Sequence, residues 1–230
     1  MPLINPALAT STGTSFQITP LAKGQNVPKK ITFAATALTE AAATTPTDSL
    51  TVTTTLPSGV TTAVVKAGTY LKAAEQNLVV TNDTTVTSST TSLTIDAVTV
   101  NIAAQTLSTY VGSFPVIGLE AASRQLQKQT NQVVLLTSNG WQSTGFSTGS
   151  FTFSGTLYIP TNATDAVSAN MIINALLNET YLWVERFLPN GDYSSGRVCV
   201  TDASDTASGA GYISVNTTFT GDGVLYTTPV

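Results

Sequence analysis

Threonine makes up nearly a fifth of the 230 residues and alternates with valine, leucine, isoleucine and alanine along most of the chain. β-Branched side chains fit the pleated surface of a strand, and an apolar residue at every second position gives a strand one apolar face. The chain is therefore expected to be mainly β. With 42% apolar residues it can also bury a substantial core.

Charged residues are scarce. Nine Lys and Arg face thirteen Asp and Glu, which gives a net charge of −4 and a pI near 4.6. Proteins that bind nucleic acid by neutralising phosphates carry an excess of basic residues on one face, so this class is excluded. Because histidine is absent, His-based catalytic triads and His-ligated metal sites are excluded too. A single cysteine excludes an internal disulfide and a Cys-rich zinc site.

Two further absences follow from the sequence. No stretch approaches the roughly 20 consecutive apolar residues of a membrane-spanning helix, and the N-terminus lacks the basic and apolar regions of a signal peptide. We therefore expect the protein to be made in the cytoplasm and not to associate with a membrane. We also expect no cofactor and no bound metal.

Residues 31–110 are rich in Thr, Ala and Val and poor in aromatic residues. Pro, Gly and Asn-Asp turn signals separate short strand patterns, which is typical of a small antiparallel barrel or sandwich. Residues 36–45 fit either a helical turn or a mobile segment, and propensity does not decide between them. The predicted strands are residues 50–55, 62–65, 78–81, 84–87, 93–95 and 98–102.

Residues 111–230 carry most of the aromatic residues and both tryptophans. The pattern predicts one packed helix at residues 165–178, because apolar residues recur there at helical spacing. It predicts strands at residues 15–19, 132–137, 149–159, 181–188, 197–201 and 212–220, with turns at residues 189–192 and 221–223. The expected fold is an antiparallel β-sandwich or barrel with one packed α-helix, plus a small inserted all-β domain.

Two of these strands have one apolar and one hydroxyl-rich face. The polar positions are Thr152, Ser154, Thr156, Ser214 and Asn216. Such a face is polar and nearly uncharged, so it is unsuited to holding a polyanion and suited to letting one pass.

Residues 138–148 form a predicted Gly/Ser/Thr loop that contains two large aromatic residues, Trp141 and Phe146. Aromatic side chains on a loop often mark a docking contact, and they can also fold back onto their own sheet. Both interpretations stay open from the sequence.

No catalytic constellation stands out. The nearest carboxylate pairs are Asp202 with Asp205 and Asp192 with Glu185, each expected in a turn or on an exposed strand face. Residues 202–209 offer oxygen ligands but lack the spacing and the terminal Glu of a calcium-binding loop, so a plain loop is expected. We expect no enzymatic activity.

The order of elements resembles that of the major tail tube proteins of long-tailed bacteriophages. The N-terminal residues 1–20 are similar to the opening arm and first strand of that family, and GWQSTGFSTGSF is similar to its long hairpin loop. The remaining similar segments are, in order, GSFTFSGTLYIP (149–160), ANMIINALLNE (169–179), VERFLPNGDYSSGRVCVTD (184–202) and GYISVNTTFTGDG (211–223).

The resemblance implies a structural protein of the virion tail. Six copies would form a ring whose strands make a continuous β-barrel, and stacked rings would form the tube that delivers DNA without sequence-specific binding. The polar positions above would face the lumen, and Trp141 and Phe146 would contact a neighbouring subunit or ring. Tail initiator, terminator and tape-measure proteins are the implied partners.

The expected organisation is residues 1–30 as the arm and first strand of the tube domain, 31–110 as an inserted domain, and 111–230 as the remainder. The insertion departs from the family, in which an extra β domain commonly lies at the C-terminus. The alternative function is a capsid decoration or receptor-binding β module. A related tube of a contractile secretion system also stays open.

Overall fold

The computed structural model describes residues 15–37, 47–71, 78–96, 103–116, 119–134, 142–160, 167–188, 192–207 and 212–228. Within these ranges the chain is mainly antiparallel β-sheet with a single helix, which confirms the predicted fold class. None of the described helical residues forms a segment long and apolar enough to cross a membrane.

The strands are numbered in chain order, and the helix is α1 (Val167–Leu177). The first eight strands are β1 (Ser15–Pro20), β2 (Lys30–Ala35), β3 (Thr47–Thr55), β4 (Thr62–Val65), β5 (Tyr70–Leu71), β6 (Leu78–Val79), β7 (Thr84–Thr87) and β8 (Thr90–Asp96). The others are β9 (Gln105–Tyr110), β10 (Phe114–Pro115), β11 (Leu119–Val134), β12 (Gln142–Pro160), β13 (Tyr181–Phe187), β14 (Tyr193–Ala207) and β15 (Tyr212–Thr228).

The main sheet has seven strands in the order β10-β1-β13-β14-β15-β12-β11. In this order three strands lie between β1 and β12, and two lie between β1 and β15. The Phe16 ring of β1 nevertheless lies 5.8 Å from Phe153 of β12 and 6.4 Å from Phe219 of β15. The sheet must therefore bend so that its apolar face encloses a core. Helix α1 contributes buried Ile172 and Ala175 to the same core, as its apolar spacing predicts.

Residues between β1 and β10 build a second set of sheets. Strands β8-β3-β2-β9 form a four-stranded sheet, while β4-β7 and β5-β6 form two small ones. Among the described residues these strands pair only with one another, and they share a core that includes Phe33, Leu93 and Leu107. The domain boundaries at residues 30 and 110 stay a prediction.

A buried polar contact links the two sets of sheets. Gln17 on β1 is fully buried; its Nε2 donates to the carbonyl oxygen of Tyr70 at 3.1 Å, and its Oε1 accepts from Ser113 Oγ at 3.1 Å. The ring of Tyr70 stacks on Phe187 of β13 with centroids 5.1 Å apart. Burying an amide costs stability unless its hydrogen bonds are made, so this contact fixes how the two parts meet.

A second buried cluster lies on the same side of β13. The Tyr193 hydroxyl donates to Glu185 Oε1 at 2.7 Å, and Glu185 is 4% exposed. Burial, with the nearby Glu185 carboxylate, raises the pKa of Tyr110 to about 12 and also raises the pKa of Tyr193. The prediction of an exposed Glu185 was wrong, because β13 is covered here by the tyrosine rings.

Phe151 on β12 occupies space that two glycines leave open. A Cβ on Gly196 would lie 2.6 Å from Phe151 Cζ, and a Cβ on Gly221 would overlap the same ring even more. Strand β15 pairs with β12 only up to Thr152↔Thr220, so the Phe151 ring fills the point where these two strands part. Glycine is required at both positions by this close approach.

Several predicted turns are strands in the structure. Strand β12 already begins at Gln142, so Phe146 lies in a long hairpin rather than in a loop. Strand β15 continues through residues 221–223, and β14 continues to Ala207 where a loop was expected. Cross-strand pairing outweighs the turn propensity of Gly, Ser and Asp at these places. Strands β2, β5, β9, β10 and the first part of β11 were not predicted.

Replacing Gly221 with Ala should lower the free energy of unfolding by about 1–3 kcal/mol, because the new methyl group overlaps the Phe151 ring. Gly149→Ala is the control, since the nearest atoms to its Cβ are 3.9 Å away. That control should change stability by less than about 0.5 kcal/mol. Urea titration of both variants is the measurement. Equal stabilities would contradict the close packing of Phe151.

Stability should fall as pH rises above about 10, because the unfolded tyrosine ionises near 10 while folded Tyr110 holds its proton to about 12. The contribution of Tyr110 is complete below pH 10 and is lost between pH 10 and 12. In Tyr110→Phe this slope should be smaller, as measured by urea unfolding at a series of pH values. Tyr181→Phe, which removes a hydroxyl from an exposed ring, is the control. Identical slopes in wild type and Tyr110→Phe would contradict the assignment.

Candidate assembly surface

The outer face of strands β14, β15, β12 and β11 is polar. The pairing register places Asp202, Thr218, Ser154 and Ser123 in one row across the four strands. The alternate residues of β12 and β15, which include Phe153 and Phe219, point into the core. This two-residue alternation makes one continuous polar surface opposite the apolar core.

Neighbouring hydroxyl and amide groups on this face bond to one another. Ser123 Oγ and Ser154 Oγ lie 2.7 Å apart, and Thr156 Oγ1 donates to Asn216 Oδ1 at 2.8 Å. They line a shallow depression of about 250 Å³. Of the side chains that the structure describes in the rows from Ser214 to Thr220 on this face, Asp202 alone is charged. The surface is therefore hydrated, nearly neutral and without a fixed cation.

All five predicted polar positions lie on this face and are brought together by the pairing of β12 with β15. They are Thr152, Ser154, Thr156, Ser214 and Asn216. Their exposure to a lumen stays a prediction. Sequence reasoning missed Ser123 and Gln125 because this part of β11 was not recognised as a strand. It also missed Thr218 and Thr220, which the alternation in β15 could have revealed.

The two aromatic residues predicted to dock are not brought together with this face by any described contact. Trp141 lies outside the described residues. The backbone of Phe146 is described, and it pairs with Thr130 across the β11–β12 hairpin. The contact role of both residues stays a prediction.

Two strand edges flank the polar face without a partner among the described strands. Strand β11 is the last strand of the sheet. On the other side, β13 pairs with β14 only as far as Tyr181↔Cys199, although β14 continues to Ala207. The second edge is therefore residues 200–207. Unpaired backbone N–H and C=O groups at such edges favour association with another strand.

The two edges carry opposite charges on the apolar side of the sheet. Arg124 of β11 forms an ion pair with Asp192, with Nη2 and Oδ2 3.8 Å apart, while its Nη1 has no hydrogen-bond partner. The neighbouring Arg186 is partly desolvated, and burial together with Arg124 lowers its pKa. On the β14 edge, Asp205 is exposed and has no ion-pair partner within the described residues.

The described residues contain no group of three or more His, Cys, Asp or Glu side chains arranged to hold a metal ion. Asp202 and Asp205 both lie on β14, with Asp202 on the polar face opposite Thr218 and Asp205 on the other face opposite Val215. Since their side chains point to opposite faces, they do not form a paired acid/base site.

No protein-family model and no curated protein sequence matches this chain. Two solved structures are similar over 51% of it. A chain of "Virion of native gene transfer agent (GTA) particle" is 19% identical, with 89% of that chain covered and a TM-score of 0.43. A chain of "Tail of empty GTA particle computed with helical refinement, C6 symmetry" is 19% identical, with 87% covered and a TM-score of 0.42. Similarity at this level does not identify a function.

Proposed function

We propose that this chain is the subunit of a virion tail tube, with a structural and not a catalytic role. In this proposal six copies form a ring, rings stack into a tube, and DNA passes through the lumen. The six-fold symmetry and the partners at the tube ends, namely initiator, terminator and tape-measure proteins, follow from the resemblance in sequence order.

The observation that carries the proposal is a four-stranded, polar-faced part of the sheet with an open edge on each side. Strands β14, β15, β12 and β11 alternate in direction. Because four is an even number, β11 of one copy and β14 of the next run antiparallel when copies stand side by side. Joining them in a ring would give both of these edges a partner and close the four-stranded parts into a barrel.

The composition of the polar face suits passage of DNA. A channel lined by hydroxyl and amide groups offers hydrogen bonds that water satisfies equally well, and the described side chains in the rows from Ser214 to Thr220 include no Lys or Arg to hold a phosphate. The carboxylate of Asp202 repels phosphates weakly. Such a surface keeps the polymer hydrated and does not bind it.

Residues 31–110 would lie outside the channel. Their described contacts are with β1 and β13, through Gln17 with Tyr70 and through Phe187. Tyr110 also lies close to Tyr193 at the start of β14 and Tyr226 near the end of β15, away from the rows between Ser214 and Thr220. We place them as a decoration of the tube exterior.

A capsid decoration or receptor-binding module is the second candidate. It is favoured by the four-stranded sheet β8-β3-β2-β9, which exposes Thr51, Thr53 and Ser92 on one face. The aromatic ring that the described register places on this face, Tyr110, lies at its end and packs against Trp183, so it is not open for stacking on a sugar. For this reason we prefer the tube subunit.

Negative-stain electron microscopy of the purified full chain over a range of concentrations tests the proposal. We expect rings or tubes with a central hole. A monomer at every concentration, measured in parallel by light scattering, would contradict the tube-subunit function. Binding of that monomer to capsids or host cells would then support the second candidate.

The proposal also predicts how DNA responds to added charge. The double variant Ser154→Lys, Thr156→Lys should make rings that bind short DNA duplexes, because the new cations converge in the lumen, whereas wild-type rings should not. Affinity should fall steeply between 50 and 200 mM salt in a filter-binding assay, by roughly 10³-fold or more if about six phosphates are contacted.

The matched control is Thr51→Lys, Thr53→Lys, which adds the same charge to exposed positions of the other sheet. Equal DNA binding by the two double variants would contradict the placement of the polar face in the lumen.

A further inference from the structure

We propose that copies join with Arg124 on β11 of one copy opposite Asp205 on β14 of the next. This inference rests on the proposed ring and adds to it the register of the seam. Two independent observations lead to it, the stagger that a closed sheet requires and the chemistry of the two edges.

Only an even stagger is possible at the seam. If β14 of one copy were shifted by one residue along β11 of the next, its polar side chains would lie on the apolar side of the neighbouring sheet. The polar face would then not continue from one copy to the next. Within one chain, Asp202, Thr218, Ser154 and Ser123 are directly opposite one another. We define the stagger per copy at the seam between β11 of one copy and β14 of the next. It is the number of residues along β14 between Asp202 and the residue that lies opposite Ser123 of the neighbouring copy.

Strand tilt limits this stagger. With strands about 4.8 Å apart and about 3.3 Å per residue, staggers of two, four and six residues per four strands give tilts of about 19°, 35° and 46°. Closed barrels tilt their strands by about 35–45°. No stagger and a stagger of two are therefore excluded, four fits, and six lies at the upper limit. The tilt angle depends only on the number of residues shifted per strand, which is the same in every copy. The same limits on the stagger therefore hold for a ring of any number of copies.

The chemistry of the edges favours four over six. A stagger of four puts Thr206 opposite Ser123 and Ser204 opposite Gln125, so the polar face continues across the seam. On the other face it puts Asp205 opposite Arg124. A stagger of six would instead put the Asp205 carboxylate opposite Leu126, an apolar side chain that is 57% exposed in the single chain.

The same register also covers Leu126. A stagger of four places it opposite Ala203, which already packs against the edge of the core. The side chain that most needs burial on this edge therefore gains an apolar neighbour. The adjacent cross-strand pair supplies the ion pair, and opposite charges directly across an antiparallel pair are favourable.

The Arg124 side chain remains 21% exposed and can meet a carboxylate from another copy. It lies beside Arg186, and Asp192 provides one carboxylate near these two guanidinium groups. The Nη1 atom of Arg124 and the Nε atom of Arg186 are buried without a hydrogen-bond partner, so a carboxylate from another copy would approach the exposed part of the Arg124 side chain and not these atoms. An incoming Asp205 would balance the second positive charge, which is a reason for the seam to prefer this register.

Disulfide trapping in a Cys199→Ser background distinguishes the registers, because each predicts a different pair on the polar face. Ser123→Cys with Thr206→Cys tests a stagger of four, Ser123→Cys with Ser204→Cys tests two, and Gln125→Cys with Thr206→Cys tests six. We expect the first pair to give a ladder of covalent oligomers on non-reducing gels. Diagonal pairs lie about 7–8 Å apart, too far for a relaxed disulfide, and should give little.

Charge exchange is the second test. Asp205→Arg should raise the concentration needed for ring formation about tenfold or more, since it places two cations opposite each other. Adding Arg124→Asp to that variant should restore assembly. Asp202→Arg is the control, because its side chain lies on the polar face, opposite Gln127 in this register.

The outcomes separate the seam from the function. Rings with a ladder from either of the other cysteine pairs, or with no effect of Asp205→Arg, would overturn the register and leave the tube function standing. Absence of rings and of oligomers from wild type at every concentration would overturn both.

Discussion

Backbone hydrogen bonding at the sheet edges is the constraint on which the rest of the structure depends. The strands of the main sheet are staggered, so β13 leaves β14 at Cys199 and β15 leaves β12 at Thr152. The backbone groups beyond these points need a partner from outside the described strands or from water. The fold that buries its apolar side chains well thus leaves strand edges that favour association.

The apolar and the polar faces of the sheet have different roles. Apolar residues at alternate positions enclose the core around Phe16, Phe153 and Phe219, and helix α1 closes part of it. The alternate positions face away from this core, so packing of the core does not determine which residues occupy them. On β1 and β13 they hold Gln17 and Phe187, which contact Tyr70 of the second set of sheets, whereas on β12 and β15 they hold hydroxyl and amide groups. The outward-facing residues therefore distinguish the part of the sheet that contacts the second set of sheets from the part that forms the polar face.

Period-two alternation was enough to predict the mainly β fold, the strands Thr62–Val65 and Thr84–Thr87, and the five polar positions on one face, and helical spacing of apolar residues was enough to predict helix α1. It failed where pairing outweighs local preference. Gly221 reads as a turn residue, yet its role is to admit the Phe151 ring, and that is a property of two strands meeting. The open edges and the charges of Arg124 and Asp205 could not be predicted either, because they depend on which strand stops first. The buried Gln17 gives no local signal at all.

The pairing of β1 with β13 has a consequence for how the molecule is made. Residues 15–20 find their strand partner more than 160 residues later in the chain, at residues 181–187. Such distant contacts form slowly, whereas the sheets of residues 30–110 are built from nearer segments and can form first as the chain leaves the ribosome. Edge β14 follows β13 in the chain, so it is synthesised after β1 and after the sheets of residues 30–110. The unpaired edge at residues 200–207 therefore emerges only after both β1 and its partner β13 have been made, so shorter nascent chains present one strand edge fewer for unwanted pairing.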